Sequence, residues 1–177
     1  MSPDNIASKV SNAIIIFFKE DRYFLPKIES ILSDRRISSV CVDRDSVKSS
    51  LFPGKDLVIV LGGDGTFLRA NHFNKNIAMV GINVDTDKKE GFFMQLNQND
   101  YHEKLIRILS GFKSINLLRL QVDINGKRLP EYVLNDIYIG DAKPYALYNY
   151  VLRIDGREEF QRSSGIIIGT PAGSTAW

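Results

Sequence analysis

Five consecutive aliphatic residues, Leu57 to Leu61, stop abruptly at Gly62-Gly63. A run so short and so uniformly apolar reads as a strand covered on both faces of a parallel sheet, and the glycines mark the loop it enters. The same pattern recurs along the first part of the chain. Ala13 to Phe18 is an apolar run closed by Lys19 and Glu20, Ser39 to Val42 is a weaker second strand, and Ile77 to Ile82 is another. Between them lie helical stretches. Phe24, Leu25, Ile28, Ile31 and Leu32 recur at three- and four-residue spacing behind Asp21, which is the expected N-cap. Thr66 to Phe73 continues as a short helix. Strand, helix and strand in alternation predict an α/β layered unit with a parallel sheet over roughly the first 110 residues.

The texture then changes. After a helix expected over Tyr101 to Leu109, Ser114–Ile124 and Arg128–Ile139 flank Asn125-Gly126, while Ala146–Ile154 and Arg157–Arg162 flank Asp155-Gly156. Asn-Gly and Asp-Gly between alternating strands are the strongest short-range hairpin signals. With about 150 residues per domain as a prior, a 177-residue chain holds one domain, or one and part of a second. The reading is therefore an α/β nucleotide-binding domain over 1–112 and the first part of an antiparallel β domain over 113–177. The β domain is expected to be incomplete, because a sheet begun at 114 has few strands and exposed edges unless a partner chain or further residues cover it.

Composition narrows the function. A net charge of +2, from 23 basic and 21 acidic residues, does not call for nucleic acid or an anionic membrane. No apolar run approaches the roughly 20 residues of a membrane span. Asp4 and Lys9 make a poor n-region for a leader peptide, so the expected compartment is the cytosol. A single cysteine, Cys41, excludes an internal disulfide and a Cys-based zinc site. His72 and His102 match no metal spacing and read as packing residues, so no protein metal cage is expected. Asp87-Lys88-Lys89-Glu90 reads as a solvated loop, and Tyr145, Tyr148 and Tyr150 as strand packing.

Three segments can carry chemistry. Gly62-Gly63-Asp64-Gly65-Thr66 lies at a strand end and opens a helix, where glycines let main-chain N–H groups approach a phosphate and the helix N-terminus favours negative charge. It matches neither the Gly-x-x-x-x-Gly-Lys-Ser/Thr loop nor the Rossmann fingerprint, since Leu68 stands where the latter needs a third glycine. Asp64 is the unusual member, because a carboxylate repels phosphate. It could accept a substrate hydroxyl and act as its base, or share a divalent metal with phosphates; the plainer alternative is a helix cap. The second segment is Asn135-Asp136 within an apolar strand, able to hold both hydroxyls of a ribose or merely to mark a bulge. The third runs from Ser163 to Trp177, an apolar strand between hydroxyl and glycine clusters, in which Thr170, Ser174 and Thr175 could bond a base or phosphate or simply form a turn.

Taken in order, Gly62-Gly63-Asp64-Gly65-Thr66, Gly81-Ile82-Asn83, Leu134-Asn135-Asp136 and Thr170-Pro171-Ala172-Gly173-Ser174-Thr175-Ala176 resemble the NAD kinase family from about Asp56 onward. The glycine loop alone also resembles diacylglycerol and sphingosine kinases and a motif of phosphofructokinases; the two later segments separate these. The resemblance implies transfer of phosphate from ATP or polyphosphate to the 2′-hydroxyl on the adenosine ribose of NAD or NADH, with Mg²⁺ or another divalent ion accompanying the donor. Asp64 would hold and deprotonate that hydroxyl, while Gly63, Gly65 and Thr66 would approach phosphate and Gly62 and Phe67 would also belong to the cofactor-binding residues. Asn83, Asn135, Asp136 and Ser164 would bind the dinucleotide, and Thr170, Ala172, Ser174 and Thr175 would surround its adenine end. A homodimer or homotetramer built through the β domain is also implied.

Two departures point to the branch resembling mitochondrial NAD kinases and plant NADH kinases, which leaves an organelle open as the compartment. Ser164-Gly165 replaces the usual Asp-Gly, and Gly81-Ile82-Asn83-Val84-Asp85 is separated by an insertion from Gly91-Phe92-Phe93. The alternatives to a dinucleotide kinase are a lipid kinase of the same superfamily and a non-catalytic nucleotide-binding homologue.

Overall fold

The computed structural model describes residues 10–89, 91–143 and 145–176; Asp4, Lys9, Glu90 and Trp177, on which parts of the sequence reading rest, lie outside them. The chain divides into two compact units. One holds the described residues up to Asn116 together with Gln121–Tyr132, and the other holds Leu117–Leu120 and the residues from Val133 onward.

In the first unit, β1 (Asn12–Phe17), α1 (Leu25–Asp34), β2 (Ser38–Asp43), β3 (Leu57–Gly62), α2 (Asp64–Phe73), β4 (Ala78–Asn83), β5 (Leu96–Asn97) and α3 (Tyr101–Ser110) follow in order. The five strands form one parallel sheet in the order β2-β1-β3-β4-β5. The α/β class expected from the strand and helix alternation is the one observed. Successive side chains of a strand point to opposite faces. Ala13, Ile15, Phe17, Leu57, Ile59, Leu61, Val80 and Ile82 accordingly share a core with Ile28, Ile31 and Leu32 of α1 and Leu105 and Leu109 of α3. Ile14, Ile16, Val58 and Val60 are equally buried on the other face, where α2 packs against β3 and β1. Each such Ile or Leu contributes roughly 1.5–3 kcal/mol by leaving water. Cover on both faces is why these strands are apolar throughout.

Asp21 is not the N-cap of α1. It sits in a 3-10 turn over Lys19–Phe24 and is buried, while α1 starts at Leu25 with Pro26 in its first turn and no side-chain cap. Proline needs no N–H partner in a first turn, so Pro26 sets the helix start further along the chain. The Asp21 carboxylate is left for another use.

Cys41 lies on β2 and donates its S–H to Glu29 Oε1 of α1 at 3.2 Å. Burial, that hydrogen bond and the neighbouring carboxylate charge push the thiol up to about 12. The nucleophile is the thiolate. Alkylation of Cys41 by iodoacetamide near pH 8 is therefore expected to run at least about tenfold slower than that of a free peptide thiol. Mass spectrometry of the labelled chain reads this directly, and equal rates would mean that the Cys41–Glu29 contact does not persist.

Both hairpins form as the dipeptides require. Asn125 and Gly126 have φ of 51° and 76° between β6 (Leu120–Ile124) and β7 (Lys127–Val133). The strand expected from residue 114 thus begins only at Leu120. The single strand expected over 128–139 is broken, with β8 (Asp136–Gly140) starting anew after Leu134-Asn135. At the break the Leu134 carbonyl accepts from the Thr170 hydroxyl, while the Asn135 carbonyl accepts from the Thr170 N–H one step beyond the Asp136–Gly169 pair.

In the second unit β8 pairs antiparallel with β11 (Gly165–Gly169). Its other sheet is the hairpin of β9 (Tyr148–Ile154) and β10 (Arg157–Ser163), turned by Asp155 and Gly156 at φ 49° and 78°. Gly140 and Gly165 face each other across the β8–β11 pair, and a methyl on Gly165 would come within 2.4 Å of the Tyr138 ring. The two glycines give that ring its seat, and its hydroxyl donates to Ser164 O at 2.9 Å.

Candidate functional site

In the parallel sheet, β2 and β3 lie on opposite sides of β1, so the loops leaving β1 and β3 diverge and open a crevice at the C-terminal strand ends. Open α/β sheets bind their ligands at such a switch point. A cavity of about 360 Å³ occupies it. Its walls are Phe18 and Asp21 following β1, Arg44 following β2, Gly63 to Thr66 following β3, and Lys89 following β4.

The glycine loop is shaped by crowding. Gly62 has φ of 143°, and a methyl there would lie 3.0 Å from both Asp21 Oδ2 and Thr66 Oγ1. Gly63 precedes α2 as its cap residue, with its carbonyl accepting from Thr66 N at 3.0 Å and Phe67 N at 3.3 Å. The first N–H groups of α2 have no partner within the helix and face the same end as its positive dipole. Gly65 is open: a methyl there would meet only Arg44 Nη1, 3.9 Å away.

Asp64 is the first residue of α2 and its side chain makes no cap. Its carboxylate instead accepts two main-chain hydrogen bonds, Oδ2 from Phe92 N and Oδ1 from Phe93 N, each at 2.9 Å. A carboxylate has about four lone-pair positions, so two remain for other partners. Phe67 is buried and stacks on Phe93 at 5.3 Å between ring centroids and 8° between planes, a packing contact beneath the loop.

The segment after β4 is tied down from several sides. Asn83, buried at the end of β4, accepts from Asp85 N at 3.1 Å and donates to Lys89 O at 2.7 Å. The Lys89 ammonium pairs with Asp21 Oδ1. Lys89 therefore does not belong to a solvated loop: its side chain is 24% exposed, and the 3%-exposed Asp21 carboxylate opposite it is the reason. Asp87 and Lys88 are exposed as expected. Asp21 Oδ2 is buried and has no hydrogen-bond partner among the described residues.

Sequence reasoning missed Phe18, Asp21, Arg44 and Lys89. A signal existed. Phe18 and Arg44 are the residues immediately following the C-terminal ends of β1 and β2, where a parallel sheet gathers its ligand contacts.

The second unit gathers Asn135, Asp136, Thr170, Ala172 and Ser174. Thr170 is buried; its hydroxyl donates to Leu134 O and accepts from Gly173 N at 2.9 Å, and its N–H donates to Asn135 O at 2.8 Å. Gly173 lies so close to Asn135 that a methyl would stand 2.1 Å from the Asn135 carbonyl oxygen. Ser174 Oγ donates to Pro171 O at 3.0 Å, which closes the turn, and Thr175 is exposed beyond it. Asp136 opens β8 opposite Gly169. Asn135 Oδ1 is buried without a hydrogen-bond partner among the described residues. Ser164 stands at the other end of β11 from Thr170, about 20 Å away by the rise of a strand, and does not join this group.

Sequence comparison bears on both sets of residues. No family model matches the chain. A probable NADH kinase of Oryza sativa subsp. japonica is 32% identical over 95% of this chain and 60% of the relative. An NAD kinase of Methanosarcina acetivorans is 28% identical over 97% of the chain and 62% of the relative, and one of Chlorobium limicola is 30% identical over 90% and 59%. The chain belongs to the NAD kinase family. It spans about three fifths of the length of these NAD kinase and NADH kinase relatives. In this NAD kinase family member the Gly62–Thr66 loop sits in the first unit, and the Asn135-Asp136 pair and the Thr170–Ala176 turn sit in the second.

Proposed function

We propose that the chain phosphorylates the 2′-hydroxyl on the adenosine ribose of NAD or NADH, taking phosphate from ATP or polyphosphate. The observation that carries this reading is the state of Asp64: it does not cap α2, it is oriented by two main-chain N–H groups, and it lines the cavity beside the open N-terminus of α2. A carboxylate so held can accept the ribose hydroxyl without having to be reoriented. It cannot strip an alcohol of its proton in the ground state, so it takes the proton late, as the hydroxyl oxygen bonds to phosphorus. Much of its contribution is orientation. Gly63 and Gly65 offer main-chain N–H groups to the donor phosphates, and Thr66, whose own N–H goes to Gly63 O, lines the cavity beside them. Asn135, with a buried acceptor still unpaired, and Asp136 suit the hydroxyls of a ribose.

No group of three or more metal-ligating side chains occurs among the described residues. Asp21, with its unpaired buried oxygen, and Asp64 are the carboxylates in the cavity that would hold a divalent cation arriving with the donor. Such an ion supplies neutralisation of charge on the phosphate oxygens.

Relatives named NAD kinase and probable NADH kinase support the dinucleotide acceptor. Incubation of the chain with Mg-ATP and either NAD or NADH is expected to yield NADP or NADPH, measured with an NADP-specific dehydrogenase. Dinucleotide binding with no product would instead favour a non-catalytic homologue, and phosphorylation of diacylglycerol or sphingosine would favour a lipid kinase.

A further inference from the structure

The cavity at the sheet's switch point contains two cationic side chains that the glycine loop does not account for. Arg44 lays its guanidinium over the Phe18 ring, 3.8 Å from the centroid, and the Lys89 ammonium lies 6.0 Å from the same centroid. Both line the cavity together with Gly63, Gly65 and Thr66. Arg44 meets Asp45 at 3.6 Å from Nε, longer than a hydrogen bond, and the Asp45 carboxylate is 72% exposed, so that contact neutralises little. Its Nη1 is the atom nearest to the open side of Gly65. Lys89 is fixed differently, by Asp21 on its ammonium and by Asn83 on its carbonyl. Asp21, 3% exposed on the cavity wall, holds the Lys89 ammonium in place through its Oδ1.

We propose that Arg44 and Lys89, set about the Phe18 ring, form a clamp for the phosphate chain of the phosphoryl donor, with Asp21 as the positioning residue that holds Lys89. The inference rests on the kinase reading above and extends it to the donor side. Its physical basis is charge and shape. A guanidinium presents a fork of N–H groups that matches phosphate oxygens, and stacking on an aromatic ring fixes the plane of that fork before the ligand arrives. The Lys89 ammonium, near the same ring, has N–H groups beyond the one it gives to Asp21 and can donate them to a neighbouring phosphate. The unpaired N–H groups at the start of α2 complete an enclosure of donors around a chain of anionic groups. The recognised chemistry is a linear polyphosphate, whether inorganic or carried by a nucleoside.

Calorimetric titration of the full chain with inorganic tripolyphosphate tests this without turnover. Arg44→Ala is expected to weaken binding at least about tenfold, and Arg44→Lys to restore part of the loss because the charge returns without the fork. Arg128, paired with Asp123 on the β6–β7 hairpin, is the control for general charge, and Arg128→Ala should leave affinity unchanged. Lys89→Ala leaves Asp21 buried without its partner and can fail to fold, so Arg44 carries the decision. Parallel titrations with ATP separate the sources: equal Arg44 dependence with tighter binding of ATP indicates a nucleoside polyphosphate, and equal affinities indicate that the phosphate chain alone is read. Failure of wild type to bind tripolyphosphate, equal affinity of wild type and Arg44→Ala, or an equal loss in Arg128→Ala would each overturn the clamp. The two readings fail separately. Arg44-dependent tripolyphosphate binding with no NADP(H) formed sinks the dinucleotide kinase and leaves the clamp. NADP(H) formation with an unchanged donor KM in Arg44→Ala does the reverse.

Discussion

Replacing Asp64 by Asn is expected to lower turnover of NAD or NADH to its phosphorylated product by at least about a hundredfold, with little change in dinucleotide affinity. The amide keeps the shape of the carboxylate and one acceptor oxygen, but it cannot take up the ribose proton as the bond to phosphorus forms. The substitution also touches structure, because Phe92 N and Phe93 N share the two carboxylate oxygens and Asn can satisfy only one of them. Leaving one of these main-chain donors without its acceptor costs about 1–3 kcal/mol, enough to loosen the neighbouring segment without unfolding the sheet. Limited proteolysis after Phe92 and Phe93 measures that loosening apart from the chemistry. A variant that turns over at the wild-type rate would remove Asp64 from the reaction. A rate loss accompanied by equal loss of dinucleotide binding would assign it to construction of the site instead.

Gly173→Ala is expected to be the most damaging single methyl in the second unit. The added carbon would stand 2.1 Å from the Asn135 carbonyl oxygen, 2.3 Å from its carbonyl carbon and 2.4 Å from its Cα. These are main-chain atoms, so no side chain can swing aside, and either the Thr170–Ser174 turn or the Leu134-Asn135 break must move. Such a shift pulls apart the four hydrogen bonds that Thr170 makes to Leu134, Asn135 and Gly173. Overpacking in a tight site costs about 1–3 kcal/mol even where side chains can adjust, and a collision with backbone lies at or above the top of that range. Thermal unfolding followed by circular dichroism should show a transition lowered by several degrees, and dinucleotide affinity should fall with it. Gly126→Ala is the comparison: that glycine also has positive φ, 76°, but nothing lies within 4 Å of the added methyl, so it reports turn strain alone. Equal midpoints for the two variants would show that the contact with Asn135 does not constrain the fold.

Much of the architecture can be read from local rules. Strands buried on both faces must be apolar throughout, and β1 and β3 show it in Ala13–Phe17 and Leu57–Leu61. Asn125-Gly126 and Asp155-Gly156 specify their turns because few other residues accept positive φ at two successive positions. Elements whose limits depend on remote partners are less legible. The Arg128–Ile139 stretch reads as one strand, and the Thr170 hydroxyl, distant in sequence, takes up the Leu134 carbonyl where the strand divides. Asp21 has the spacing of a helix cap, yet a lysine 68 positions away makes it a buried ion-pair partner.

The sequence by itself determined the parallel sheet, the two hairpins and the glycine loop, because periodicity and turn chemistry act over a few residues. It also marked Asp64 as a carboxylate in a place meant for anions. Only the tertiary structure decided what that carboxylate touches, since the Phe92 and Phe93 N–H groups reach it across an insertion, and only the strand order brought Phe18, Arg44 and Lys89 to one crevice. Long-range register sets those neighbours, and no window of adjacent residues contains it.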